Sequence, residues 1–128
     1  MNEFDIPIFK KTYDLYKILN SIRASIPKQD RYTLWQRTEQ ITLDLIELFF
    51  EAAELYEIQK LPTLEKASVK LNLLRVFIRL SFDTKSIDGK KYTAIQQRID
   101  EIGRMLGGWI KLFKIPENNQ QETESAPL

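Results

Sequence analysis

Apolar residues recur at every third or fourth position through most of this 128-residue chain. This spacing places them on one face of an α-helix, and no segment shows the alternation that is typical of a β-strand. The helical pattern covers about residues 6–25, 28–59, 63–82 and 90–114. Four amphipathic helices joined by short loops favour an all-α, up-down-up-down four-helix bundle. We therefore predict one bundle domain over residues 1–115 and a disordered acidic tail over residues 116–128.

The expected helix boundaries depend on proline, glycine and capping residues. Pro27 disfavours helical geometry at Ile26 and so ends the first helix. Leu61-Pro62 predicts the end of the second helix, and Thr63 is then the expected N-cap of the third. Asp88-Gly89 predicts a turn before the fourth helix.

One stripe along each predicted helix is expected to form the core. The first stripe consists of Leu15, Ile18, Leu19, Ile22 and Ile26. The second consists of Leu34, Thr38, Ile41, Leu45, Leu48, Ala52 and Leu55, widened by Trp35, Phe49 and Tyr56. The third consists of Leu64, Ala67, Leu71, Leu74, Ile78 and Ser81, and the fourth of Tyr92, Ile95, Ile99, Ile102, Leu106, Trp109 and Phe113. The second helix is predicted to carry acids on its outer face, namely Glu39, Asp44, Glu47, Glu51, Glu54 and Glu57.

The third predicted helix has a second apolar strip beside its core stripe, made of Leu73, Val76, Phe77 and Leu80. Such a helix is apolar over more than half of its circumference. This pattern fits either a central position in the bundle or an additional contact between subunits.

Residues 101–111 place three glycines and Trp109 inside the fourth predicted helix. A glycine in a helix interior costs about 1 kcal/mol relative to alanine, so a packing reason is expected. Gly103 and Gly107 are four residues apart and share one face. We predict a tight helix–helix seam at this face, with Trp109 filling an adjacent contact within one subunit or between two.

The composition argues against catalysis. The chain has neither histidine nor cysteine, which excludes the usual general base, the usual zinc ligands, disulfides and the Glu-x-x-His motif of di-iron bundles. We predict no enzymatic activity, no catalytic residue, no cofactor and no metal site, although magnesium held by acids alone stays open. The polar start and the short apolar runs predict a cytoplasmic protein without membrane contact.

The formal net charge of +1 conceals an uneven distribution. Residues 29–60 hold three basic and seven acidic residues, and residues 115–128 hold three acidic residues and no basic one. The rest of the chain holds sixteen basic and eight acidic residues. Cations gathered on particular helices create a surface that attracts polyanions.

The candidate binding residues are cations on the first, third and fourth predicted helices. They are Lys17, Arg23, Lys70, Arg75, Arg79, Arg98, Arg104 and Lys111. Each taken alone fits an ordinary solvated charge, or a partner for the acids of the second helix. Taken together they predict a basic face that binds RNA through its phosphates without base specificity, a mode of binding that DNA phosphates also permit.

Two stretches, Leu73-Leu74-Arg75-Val76-Phe77-Ile78-Arg79-Leu80 and Glu101-Ile-Gly-Arg-Met-Leu-Gly-Gly-Trp-Ile-Lys111, carry a family resemblance. With the four-helix pattern and the break at Ile26-Pro27, the chain resembles the accessory variability determinant (Avd) proteins of diversity-generating retroelements. The resemblance implies a homopentameric barrel with a basic surface and no enzymatic activity. It also implies partnership with a reverse transcriptase and its template RNA, or an RNA–DNA hybrid, during mutagenic retrohoming. Arg75 and Arg79 would then lie on the basic surface.

Two other interpretations stay open. Proteins encoded in intervening sequences of bacterial ribosomal RNA genes share the bundle fold, so the chain could be an oligomeric interaction protein without a reverse transcriptase partner. A bundle enzyme or metal carrier is the third interpretation, and the missing histidines argue against it.

Overall fold

The computed structural model describes residues 6–114. The helices in this range are α1 (Pro7–Ile22), α2 (Lys28–Arg31), α3 (Leu34–Glu54), α4 (Glu57–Asp83) and α5 (Gly89–Lys111), with a 3-10 turn at Arg23–Ser25 after α1. No strand occurs among these residues, and the predicted all-α class is confirmed. The predicted tail lies outside the described residues.

The four long helices form a bundle in which each one packs mainly against two others. Helix α1 contacts α3 and α5, and α4 contacts the same two helices. Helices α1 and α4 are therefore diagonal to each other, as are α3 and α5. This arrangement leaves two different edges on α5, one shared with α1 and the other with α4.

The core follows the predicted stripes most closely in α4. Leu64, Ala67, Leu71, Leu74, Ile78 and Ser81 are all buried there. Trp35 in α3 is completely buried, and its Nε1 donates a hydrogen bond to the carbonyl oxygen of Leu19 at 3.1 Å. A buried indole needs an acceptor for its N–H, and this bond ties α3 to the last turns of α1.

The predicted break at Leu61-Pro62 is wrong. Helix α4 begins at Glu57 and contains Pro62, and Thr63 is an interior residue rather than an N-cap. The chain turns instead at Leu55 and Tyr56, both of which have extended backbone.

A lysine stabilises this earlier turn. Lys60 Nζ donates to the carbonyl oxygens of Ala52 and Ala53 at 2.6 and 3.4 Å, at the C-terminal end of α3. A cation there satisfies carbonyls that the helix leaves free. Proline removes one backbone N–H, and Pro62 is only the sixth residue of α4, so one lost hydrogen bond near the helix start does not end the helix.

The second predicted helix is also divided and shortened. Non-helical geometry at Tyr32 and Thr33 separates α2 from α3. Tyr56, expected to widen the core stripe, is 83% exposed because α3 ends before it. The break after α1 is confirmed, since Ile26 is extended ahead of Pro27. The turn at Asp88-Gly89 is confirmed as well, and the Asp88 carboxylate caps α5 by accepting from the Lys91 N–H at 2.8 Å.

The second apolar strip of α4 lies at the surface of the single chain. Val76 is 57% exposed and Leu80 is 43% exposed, while Leu73 and Phe77 are half-buried. Helix α4 is therefore not covered on two sides within one chain. A contact between subunits at this strip stays a prediction.

Candidate nucleic-acid interface

A groove follows the edge where α4 packs against α5. It consists of two adjoining cavities of about 400 Å3 and 600 Å3, and both are lined by Arg75 and Asp100. The first cavity has an apolar floor of Leu71, Leu106 and Ile110 and is otherwise lined by Ser68, Asn72, Gly103, Arg104 and Gly107. The second is lined by Val76, Arg79, Tyr92, Thr93, Gln96 and Gln97. We call this surface the α4–α5 groove.

Arg75 crosses the middle of the α4–α5 groove. Its Nη1 donates to Asp100 Oδ1 on α5, and its backbone carbonyl accepts from Gln96 Nε2 at 3.3 Å. A Cβ on Gly103 would lie 2.7 Å from Arg75 Nη2 and 3.6 Å from Leu71 Cδ2. The missing side chain of Gly103 therefore makes room for the guanidinium of Arg75.

Arg79 lies one turn further along α4 and is held at the other end of the groove. Its Nε donates to Asp83 Oδ1 at 3.0 Å, and its guanidinium lies 5.9 Å from the ring centroids of both Phe82 and Tyr92. Those rings stack on each other with centroids 4.7 Å apart. A hydrogen bond with Tyr92 and the charge of Asp83 raise the pKa of Arg79, so it stays cationic.

Arg104 and Lys111 are exposed cations of α5 seven residues apart, which places them on the same helix face. Neither forms an ion pair with any residue that the structure describes. Gly107 and Gly108 lie between them, are also exposed and carry no side chain of their own.

Lys17 of α1 and Arg98 of α5 lie at the edge where these two helices pack together, away from the α4–α5 groove. The pKa of Asp14 is lowered first by its hydrogen bond with Lys10, and the charges of Lys17 and Arg98 also contribute. Lys17 Nζ lies 5.8 Å from the ring centroid of Tyr13. The α1–α5 edge therefore carries cations together with a carboxylate that partly offsets them.

Arg23 and Lys70 face the acids of α3. Arg23 Nε donates to Glu39 Oε1 at 2.9 Å and its Nη2 to Glu39 Oε2, which raises the pKa of Arg23. The side chain of Glu39 is only 6% exposed, so its predicted position on the outer face is wrong. Burial of this carboxylate requires the paired guanidinium. Lys70 Nζ lies 3.3 Å from Asp44 Oδ2.

The eight candidate cations therefore do not form one face. The structure brings Arg75, Arg79 and Arg104 together along the α4–α5 groove, with Lys111 on the adjoining face of α5. Four of the eight, Arg23, Lys70, Arg75 and Arg79, form ion pairs with carboxylates of the same chain.

The two remaining packing candidates differ in their surroundings. Trp109 is half-buried and its ring centroid lies 6.4 Å from that of Phe49 on α3, so it packs within its own chain. A Cβ on Gly107 would have no described atom within 4 Å. What lies against Gly103 is an arginine side chain and not another backbone, and a role for Gly107 in contact with another copy stays a prediction.

Sequence reasoning missed Asp100, Gln96 and Asn72. Asp100 and Gly103 are three residues apart on one face of α5, and Arg75 of α4 lies opposite them. No sequence pattern predicts that α4 and α5 pack together in this register.

Residues 6–114 contain no group of three or more acidic side chains placed to hold a metal ion. None of the helices in that part of the chain is long and apolar enough to cross a membrane.

Comparison with family models identifies the chain. The model of the bAvd-like family matches residues 7–113, which span all five helices. The chain belongs to the bAvd-like family. The resemblance to Avd proteins inferred from residues 73–80 and 101–111 is thereby confirmed. No curated protein matches the chain.

Membership in the bAvd-like family favours an accessory role rather than a catalytic one. The matched range includes the whole α4–α5 groove, and Arg75, Arg79, Arg104 and Lys111 all lie within this range. The groove offers guanidinium, amide and hydroxyl donors beside an apolar floor.

Proposed function

We propose that this protein is a non-enzymatic accessory factor that binds a retroelement reverse transcriptase and its template RNA, or an RNA–DNA hybrid, during mutagenic retrohoming. The observation that carries the proposal is the line of Arg75, Arg79 and Arg104 along the α4–α5 groove of a bAvd-like chain. The RNA lies in this groove and is bound through its phosphates.

Phosphate contacts suit these side chains better than base contacts do. Arginine presents paired N–H donors that match phosphate oxygens. The aromatic ring nearest the groove, Tyr92, is already stacked on Phe82, so it offers no free face to a base on that side. Binding is therefore expected to depend on salt and to vary little with RNA sequence.

The internal ion pairs of Arg75 and Arg79 do not prevent phosphate binding. The paired side chains are 33% and 61% exposed, and their carboxylate partners are about half exposed. Exposed ion pairs are typically worth about 0–1 kcal/mol, so a phosphate chain that contacts several cations at once displaces the carboxylates. Arg104 has no such competitor among the described residues.

The surface also offers room for a protein partner. Val69, Val76 and Leu80 are large exposed apolar side chains on α4. Exposed apolar surface of this kind supports a contact with another protein, either the reverse transcriptase or a second copy of the chain.

Affinity capture tests the proposal. The tagged protein is mixed with the reverse transcriptase of its own retroelement and with the template RNA, and the retained protein and RNA are measured with and without ribonuclease. We expect both partners to be retained, and the double variant Arg104→Glu, Lys111→Glu to lose at least nine-tenths of the RNA because two phosphate contacts become repulsive.

The control is Arg37→Glu, which changes the net charge by −2, as Arg104→Glu does alone and half as much as the double variant does. Arg37 is an exposed arginine of α3 and lines a separate groove with Tyr32, Phe77 and Leu80. Its reversal changes the net charge in the same direction away from the proposed site and should leave RNA retention within twofold of the unmodified protein. Retention of neither partner by the unmodified protein contradicts the proposal.

A second candidate function is supported by the four ion-paired cations, which reduce the free positive charge. It is an oligomeric interaction protein of the ribosomal-RNA intervening-sequence type, without a reverse transcriptase partner. The gene neighbourhood separates the two. A reverse transcriptase gene with paired template and variable repeats beside this gene supports the first proposal, and its absence supports the second.

A further inference from the structure

Asp100 lies where the two cavities of the α4–α5 groove adjoin. It lines both cavities, and its carboxylate accepts from the one guanidinium that crosses between them. Arg79 is instead held by Asp83 of its own helix, four residues away. Among the ion pairs of the groove, the Arg75–Asp100 pair alone connects α4 with α5 in the part of the chain that the structure describes.

The charge of Asp100 opposes the binding of any polyanion in the groove. Its carboxylate takes a position beside Arg75 that a phosphate oxygen would otherwise fill, and it repels phosphates in the cavities on both sides. The Asp100 side chain is 53% exposed, so water can hydrate its charge after it separates from Arg75. Because Gly103 has no side chain, the guanidinium of Arg75 has enough space to lie across α5.

We propose that Asp100 is an internal competitor that occupies Arg75 until a phosphate replaces it, and that it thereby holds the RNA affinity of the groove below the level its cations alone would give. This inference depends on the proposed function. Asp100 acts through Arg75 and is a positioning residue for the RNA contact. Its consequence is weaker and faster-dissociating RNA binding than the cations of the groove would otherwise give.

Asp100→Asn tests the proposal, because it removes the charge and keeps the shape of the side chain. The probe is fluorescein-labelled single-stranded RNA of mixed sequence, followed by fluorescence anisotropy between about 50 and 200 mM salt. We expect roughly threefold to tenfold tighter binding and a salt slope steeper by about 0.7, the value for one additional phosphate contact on a single strand.

Glu101→Gln is the matched control. Glu101 is the next residue on α5, and its Oε1 lies 2.9 Å from Lys11 Nζ on α1, across the other edge of the helix. The two variants change the net charge equally, so an effect of total charge appears in both. We expect the affinity of Glu101→Gln to stay within twofold of the unmodified protein.

A third variant shows whether Asp100 acts through Arg75. In an Arg75→Gln background, Asp100→Asn should raise the logarithm of the RNA affinity by less than half as much as it does when Arg75 is present. The reason is that no Arg75 guanidinium is there to be released. Circular dichroism establishes that each variant keeps its helices before binding is measured.

The possible outcomes are distinct. Tighter binding and a steeper slope in Asp100→Asn alone support the inference. Equal gains in both variants, no gain, or a gain of which half or more persists without Arg75 overturn it and leave the RNA-binding proposal intact. If neither the unmodified protein nor Asp100→Asn binds the probe at the lowest salt, the proposed function and this inference are both overturned.

Discussion

Gly103 and Gly107 share one face of α5, yet a side chain added at each would meet different surroundings. At Gly103 the new Cβ would lie 2.7 Å from the end of the Arg75 side chain, and at Gly107 no described atom lies within 4 Å. The first glycine is explained by a neighbouring cation within the chain. The second is unexplained by the single chain and gives the backbone of α5 an open stretch beside Arg104.

Alanine substitutions separate the two roles. We expect Gly107→Ala to raise the free energy of unfolding by about 0.5–1 kcal/mol, because alanine favours the helix and the space is open. Gly103→Ala should gain less, because the flexible guanidinium of Arg75 must move and its exposed ion pair with Asp100 is weakened. Urea unfolding followed by circular dichroism measures both.

A loss of stability in Gly107→Ala contradicts this account of the single chain. If that loss comes with a smaller assembly in light scattering, Gly107 packs against another copy, as its spacing from Gly103 first indicated.

At the scale of the elements, α4 is longer than its sequence pattern indicates because Pro62 lies inside it. An interior proline removes a backbone hydrogen bond and crowds the carbonyl four residues earlier, here that of Ile58. Pro62→Ala should therefore raise the free energy of unfolding by about 1–3 kcal/mol, read from the urea midpoint at unchanged slope.

The control for Pro62→Ala is Glu65→Ala, an exposed position of the same helix, where a change within about 0.5 kcal/mol is expected. If α4 instead began after Pro62, the proline would lie outside the helix and its replacement would have no such effect.

The elements could be predicted where one face of a helix meets the core over many turns. The stripe from Leu64 to Ser81 is confirmed residue by residue, because burial of a helix face imposes a period that the sequence must display. The boundary at Glu57 could not be predicted, since it depends on a lysine reaching back to the end of the preceding helix. The gap between α2 and α3 contains neither proline nor glycine to announce it.

The candidate site was less predictable than the fold. Which residues are cations is plain in the sequence, but their pairing depends on how neighbouring helices are rotated and shifted. Glu39 shows this most clearly, because an acid expected on the outer face is buried and paired with the more exposed Arg23. The hydrogen bond from Arg75 to Asp100 and the contact of Arg75 with Gly103 likewise form only when α4 and α5 pack together.

At the scale of the whole molecule, the exposed apolar strip of α4 predicts assembly. Exposed Val69, Val76 and Leu80 are costly to leave in water, and covering them with a second copy is favourable. We expect light scattering at micromolar concentration to show an oligomer, with the pentamer implied by the family resemblance as the expected size.

Charged substitutions test the location of this contact. Val69→Asp with Leu80→Asp should reduce the measured mass to that of a monomer while the helical circular dichroism signal stays unchanged. Both residues lie outside the α4–α5 groove, whereas Val76 lines it. Tyr56→Asp is the control, because Tyr56 is an even more exposed apolar side chain, at 83%, but lies at the turn before α4 and outside the strip. A monomer in the unmodified protein contradicts the assembly prediction.

The salt dependence of RNA binding tests the central claim most directly. On the proposed account, Arg79 and Arg104 each contact one phosphate of a single strand in the α4–α5 groove, while Asp100 competes for Arg75. The logarithm of the association constant should then fall linearly with the logarithm of salt concentration, with a slope of about −1.4 or steeper. Measured on the full-length protein with its template RNA, such a slope is the expected result. A slope near zero, or no binding at the lowest salt, would contradict the account.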